Sequence, residues 1–123
     1  MTGATVLLAD DMTIVRRPLA LFLARRGFRV IEVQDGQEVL DLLAREHVDA
    51  LVLDLSMPTV DGFGVLEALQ RRGALPPTIV MTSHAVREWI ERAYGLGASE
   101  VLIKAAQPLA EVALRVQALI DAR

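Results

Sequence analysis

Short apolar runs of strand length alternate five times with longer segments whose apolar residues recur at helical spacing, and few folds accept that alternation. The runs are Ala4 to Ala9, Phe28 to Val33, Ala50 to Leu53, Thr78 to Met81 and Val101 to Ile103. Each is aliphatic or β-branched and is followed by polar or turn residues, as strands buried on both faces are. The intervening stripes are Val15, Leu19, Phe22 and Leu23; then Val39, Leu40 and Leu43; then Val65, Leu66 and Leu69. Val86, Trp89, Ile90 and Ala93 form a fourth, and Leu109, Val112, Ala113, Val116 and Ile120 a fifth. Pro108 is expected at the first position of the last helix, and Pro18 is expected to kink the first helix or mark its late start. Alternation with short connections implies a parallel sheet, because right-handed crossovers return the chain in the same direction and lay helices on both faces. The expected fold is α/β, a doubly wound five-stranded parallel sheet in one domain spanning residues 1–123.

Composition narrows the chemistry. With no cysteine among 123 residues, disulfides and thiolate metal sites are excluded, and a reducing cytoplasm fits. The N-terminus lacks the basic segment and apolar run of a signal peptide, and charges interrupt every apolar stretch before membrane-spanning length. A formal charge of -3, with acidic and basic residues interspersed, argues against direct nucleic-acid binding, which needs clustered basic side chains. Every basic residue is arginine except Lys104.

In open α/β sheets, ligands bind at the C-terminal ends of the strands. Read in order, those ends carry Asp10 and Asp11, then Asp54, then Thr82, then Lys104. In the flavodoxin-like strand order 2-1-3-4-5 the first and third strands are neighbours, which brings the three aspartates together. Three carboxylates that close raise one another's pKa unless a cation neutralises them, and magnesium is the natural ion for an all-oxygen site. A lone aspartate at a strand end is ordinarily a solvated or capping residue, Thr82 alone an ordinary strand residue and Lys104 alone a surface charge. Together they describe a metal and an ammonium clamping a phosphoryl group while a carboxylate attacks it.

The chain resembles the receiver domain of bacterial two-component response regulators over essentially its whole length. The family's acidic pair matches Asp10-Asp11, and its phosphoacceptor with the following DxxMPxxDG pattern matches Asp54 to Gly62. Its switch hydroxyl matches Thr82 and its lysine Lys104. Asp35 to Leu40 is similar to the family's DGxEAL helix start, and Gly97-Ala98 to its GA before the last strand. The resemblance implies phosphoryl transfer from a phosphohistidine of a sensor histidine kinase or histidine phosphotransferase to Asp54. Magnesium is then held by Asp11, Asp54 and the Ser56 backbone carbonyl, with Asp10 assisting directly or through water. Lys104 neutralises a phosphoryl oxygen and Thr82 moves to bond another, shifting a population between two surfaces rather than catalysing a separate reaction.

Two positions depart from the family. Its lysine is usually followed by a proline in a cis bond, whereas Ala105-Ala106 follow Lys104; a cis bond before alanine costs about 2.5 to 4 kcal/mol, so a trans bond is expected. Its switch aromatic, three residues before the lysine, is Val101. These losses favour a competing reading, a degenerate receiver that binds a partner without being phosphorylated. An aspartyl phosphatase would need a second aspartate where Ser56 stands, and no GxGxxG follows the first strand to suit a dinucleotide. His84 occupies a position that in the family tunes phosphate lifetime, while His47 is expected at the surface. Met12, Ile14 and Val15 are expected to meet a kinase or phosphotransferase helix. The fourth and fifth helices, with Trp89, Tyr94 and a Glu111-Arg115 pair, are expected to carry output or a homodimer contact. No effector domain lies within the sequence, so output is expected through another protein or a domain outside it.

Overall fold

The computed structural model describes residues 3–123. Five strands and five α-helices alternate: β1 (Thr5–Ala9), α1 (Thr13–Arg25), β2 (Arg29–Val33), α2 (Gly36–Leu43), β3 (Ala50–Asp54), α3 (Gly62–Arg72), β4 (Thr78–Thr82), α4 (Arg87–Gly95), β5 (Glu100–Ile103) and α5 (Leu109–Asp121). One turn of 3-10 helix, Lys104–Ala106, joins β5 to α5. The strands pair in parallel in the order β2-β1-β3-β4-β5, as the flavodoxin-like expectation has it. No helix among the described residues is long and apolar enough to cross a membrane.

The period-two alternation of strand side chains divides the core into two layers. Leu7, Ala9, Leu51, Leu53 and Val80 meet Val39, Val65, Leu66, Leu69 and Ala93 from α2, α3 and α4. Val6, Leu8, Val52, Ile79 and Met81 meet Leu19, Leu23, Val112, Val116 and Ile120 from α1 and α5. Every residue of β3 and β4 is buried, which is why those strands read as unbroken apolar runs. Each fully buried leucine here contributes roughly 1.5–3 kcal/mol relative to exposure, so the two layers rather than any surface pair hold the strand ends in place.

Register then sets the chemistry. Ala9 pairs with Leu53, so the next residues, Asp10 and Asp54, leave the sheet side by side. Thr82 pairs with Ile103, so Lys104 emerges beside it.

Two Asp-Gly pairs brace the loop that follows β3. Asp35 accepts the Glu38 N–H at 2.9 Å and Asp61 the Gly64 N–H at 2.8 Å, capping α2 and α3. The adjoining glycines permit close approach: a Cβ on Gly36 would lie 1.9 Å from the Val60 carbonyl oxygen, and one on Gly62 2.6 Å from that of Asp54. Within the same loop Thr59 has φ 69°, the left-handed region that β-branched residues rarely occupy.

Three local expectations change. The first helix begins at Thr13 and runs through Pro18, so the proline does not mark a late start. Pro108 caps α5 instead of opening it: its ψ of 145° is extended, and its carbonyl accepts the first helical bonds, from Glu111 and Val112. In α4 only Ala93 is buried; Val86 is the cap, and Trp89 and Ile90 are half-buried. As expected, the Lys104–Ala105 bond is trans.

Because the Gly36 contact is backbone oxygen that cannot yield, Gly36→Ala should lower unfolding free energy by about 3 kcal/mol, read from the urea midpoint. Gly95→Ala, where the added Cβ meets nothing within 4 Å, should not destabilise.

Candidate functional site

Asp10, Asp11 and Asp54 each offer a carboxylate oxygen, and these oxygens all lie within 4.8 Å of one another. Asp10 and Asp54 are buried, at 3% and 4% exposure, while Asp11 is open to solvent. Lys104 reaches across from the end of β5, its Nζ 2.8 Å from Asp10 Oδ2 and 3.3 Å from Asp54 Oδ2. Backbone donors hold the other oxygens: Met12 N–H donates to Asp10 Oδ1 at 2.9 Å and Ser56 N–H to Asp54 Oδ1 at 3.2 Å.

Burial pushes the Asp54 carboxyl up from 3.8 to about 6, and the Asp10 charge adds to the rise; Lys104 and the Ser56 N–H pull the other way. One lysine faces three acidic groups, so the cluster retains negative charge. The donors are hard oxygens, and Asp11 opens one side to water. This is the donor set magnesium takes, since it binds few carboxylates and keeps several waters.

All six sequence-predicted residues lie on the strand ends or the loops following them. Thr82, only 1% exposed, is engaged with its own loop: its hydroxyl accepts the His84 N–H at 3.1 Å and donates to the His84 carbonyl at 3.3 Å. Ser56 is exposed just beyond Asp54. Val101 is half-buried, and its N–H donates to the Tyr94 hydroxyl at 3.1 Å. Met12 and Ile14 are exposed beside the site, whereas Val15 is half-buried. The Glu111–Arg115 pair forms at 3.2 Å, and Arg115 also reaches Glu100.

Sequence reasoning missed two features. Arg16 is buried on α1, with Nη1 donating to the Asp10 carbonyl at 2.9 Å and Nε to Glu32 at 3.0 Å. Its signal was position: a charge in the buried stripe that continues through Leu19, Ala20 and Leu23. The second is a cleft of about 610 Å³ beside the acidic cluster, lined among others by Asp11, Ser56, Met57, Phe63, Trp89 and Arg92. There the Trp89 ring packs at 5.2 Å from His84 and 6.3 Å from Phe63, and Arg92 lies 4.3 Å over Phe63.

Residues 6–115 match the family model described as the response regulator receiver domain. The chain belongs to the response regulator receiver family. The receiver is 35% identical over 114 residues to the response regulator GtcR of Aneurinibacillus migulanus, covering 93% of this chain and 46% of that protein. It is 39% identical over 118 residues to the response regulator MprA of Mycolicibacterium vanbaalenii, covering 94% and 49%. The chain thus spans about half the length of the curated relatives it matches. Among solved structures, the Francisella response regulator 1452 receiver domain superposes with a TM-score of 0.90 at 25% identity, over 97% of this chain and 98% of that one. Receivers of this family are signalling domains that interact with histidine kinases and phosphotransferases.

The raised Asp54 pKa has a stability consequence when no metal is bound. Protonation is favoured in the folded state, so this group's stability is fully present below pH 3.8 and is lost as pH rises through about 6. In chelator at about pH 7.5, Asp54→Asn should therefore be more stable than the parent by about 1 to 3 kcal/mol. The gap should close below about pH 4, as followed by chemical denaturation across pH.

Proposed function

We propose that residues 1–123 form one receiver domain that accepts a phosphoryl group on Asp54 from a phosphohistidine and thereby switches a partner-binding surface. The observation that carries this reading is the Lys104 ammonium shared between Asp10 and Asp54 inside a cluster of three carboxylates. Asp10, Asp11, Asp54 and the Ser56 carbonyl would hold magnesium. Bound there, the ion supplies positive charge that offsets both the carboxylates and the phosphoryl oxygens.

The chain's own groups do the rest. An Asp54 carboxylate oxygen attacks phosphorus, the O–P bond forms as the P–N bond to the donor imidazole breaks, and an acyl phosphate remains on Asp54. Lys104 exchanges a carboxylate partner for a phosphoryl oxygen. Thr82 leaves the His84 backbone and donates its hydroxyl to another. No further substrate is turned over; any catalysis is limited to self-phosphorylation and dephosphorylation of Asp54.

A sensor histidine kinase or histidine phosphotransferase is the proposed donor, with the exposed Met12 and Ile14 beside the site supporting its approach. The α4 and α5 surface, where Tyr94 and Leu114 are each 48% exposed, is the proposed face for a downstream protein or a homodimer. The charge of -3 and the absence of cysteine support a cytoplasmic domain that does not itself bind nucleic acid. The degenerate, phosphorylation-independent module is favoured only by Val101 and Ala105.

Incubation with acetyl phosphate should add one phosphoryl group by intact mass, only when magnesium is present. Asp54→Asn should abolish the addition, and Asp11→Ala should remove most magnesium affinity; stoichiometric labelling of Asp54→Asn would contradict the assignment.

Lifetime gives a second check: hydrolysis needs a water in line with phosphorus, and on this reading the His84 imidazole would crowd that approach. The acyl phosphate of His84→Ala should decay a few-fold faster than the parent's. Unchanged or slower decay would refute crowding.

A further inference from the structure

We infer that Arg16 is a positioning residue for magnesium binding: braced on Glu32, its guanidinium fixes the Asp10–Asp11 peptide so that both carboxylates converge with Asp54. The inference rests on the proposed function of that site, and concerns what holds its ligands rather than the ligands themselves.

Arginine is almost never fully buried unless paired, yet Arg16 is only 6% exposed. Its fork is divided between two targets. Nη1 donates to the Asp10 carbonyl at 2.9 Å, and Nε donates to Glu32 Oε1 at 3.0 Å. Arg17 occupies the other Glu32 oxygen, so both carboxylate oxygens of the brace are held. Glu32 lies in β2, in register with Leu8 of β1, and is therefore fixed by the sheet.

The Asp10 backbone is consequently pinned on both sides. Its N–H donates to the Val33 carbonyl at 3.2 Å, and its carbonyl accepts from Arg16. A peptide unit is planar, so holding the Asp10 carbonyl also fixes the nitrogen and Cα of Asp11. This matters because the two neighbours face differently: Asp10 is buried and Asp11 exposed, yet both present oxygens within 4.8 Å of Asp54. Asp10 is further tied by Lys104 and by the Met12 N–H. Among the described residues no hydrogen bond or ion pair restrains the Asp11 side chain, so its placement depends on the peptide that carries it. Rotating that peptide would leave Asp10 tethered and swing Asp11 out of the cluster.

A point charge cannot reproduce this. Lysine keeps the positive charge but lacks the planar fork that reaches two acceptors at once. Arg16→Lys therefore separates positioning from general electrostatics, and Glu32→Ala removes the brace while leaving Arg16 in place. Magnesium affinity should be measured by calorimetry on the full chain, without phosphodonor and well below each variant's melting temperature. Amide shifts of Asp10, Asp11 and Met12 should be recorded in parallel.

Groups that orient metal ligands typically change affinity about 10–100-fold, and acting through a backbone carbonyl should reduce that to about three- to tenfold for both variants. The Asp11 amide should shift in each, while amides of β4 and β5 stay in place. Parent-like magnesium affinity in folded Arg16→Lys and Glu32→Ala, even with lowered melting temperatures, would overturn the inference and leave Arg16 a structural tie. Full rescue by Arg16→Lys alone would also overturn it, by assigning the effect to charge. A parent that binds no magnesium would overturn the proposed function first, and this inference with it.

Discussion

Two buried carboxylates share one ammonium at the C-terminal edge of the sheet, and the rest of the site is arranged around that unequal contact. Asp10 and Asp54 would repel each other without Lys104, and removing one partner of a buried ion pair typically costs about 3–5 kcal/mol. Lys104 lowers the repulsion without cancelling it, since burial and Asp10 still lift Asp54 toward about 6. The cluster is thus tolerable as it stands and better satisfied with more positive charge. On the proposed function, a site poised in that way would take a cation together with a doubly charged phosphoryl group, each making the other more favourable.

The sheet provides the precision that this electrostatic arrangement needs. Parallel pairing of β1 with β3 and of β4 with β5 delivers Asp10 beside Asp54 and Lys104 beside Thr82, with every residue of the central strands β3 and β4 buried. The loop after β3 is then clamped from two directions, by Gly36 of α2 against Val60 and by Gly62 of α3 against Asp54 and Leu55. Substituting Gly62 would push on the Asp54 carbonyl itself and substituting Gly36 on Val60 further along the same loop, so both positions bear on the segment that follows Asp54.

The acidic residues, the hydroxyl and the lysine were legible because each ends an apolar run, and strand ends are where parallel sheets place chemistry. Alternation implied a parallel sheet with helices on both faces, while the strand order rested on taking the flavodoxin-like arrangement, which the observed pairing matches. What escaped was whatever depends on a specific tertiary partner. Arg16 was not singled out, because only the structure sets its place on the buried stripe of α1 against the Asp10 carbonyl and Glu32. Pro108 looked like a first helical residue, and only its ψ shows that it caps the helix. The fourth helix reads as amphipathic, but it lies over the sheet with Ala93 alone buried, leaving Trp89 half-buried and Tyr94 exposed.

Val101 offers no ring to carry a signal, and a different set of groups surrounds Thr82, the hydroxyl proposed to switch. The Thr82 hydroxyl is bound to both backbone groups of His84, whose ring lies against Trp89, which in turn meets Phe63 of α3. Drawing Thr82 toward an anion must release His84 and disturb that row. The direct measurement is the backbone resonance spectrum before and after adding magnesium and beryllofluoride, a phosphoryl mimic. The account predicts shifts at Asp10, Asp11, Asp54 and Lys104 together with the largest changes from Thr82 to Tyr94. Changes confined to the acidic residues, with that segment still, would contradict it.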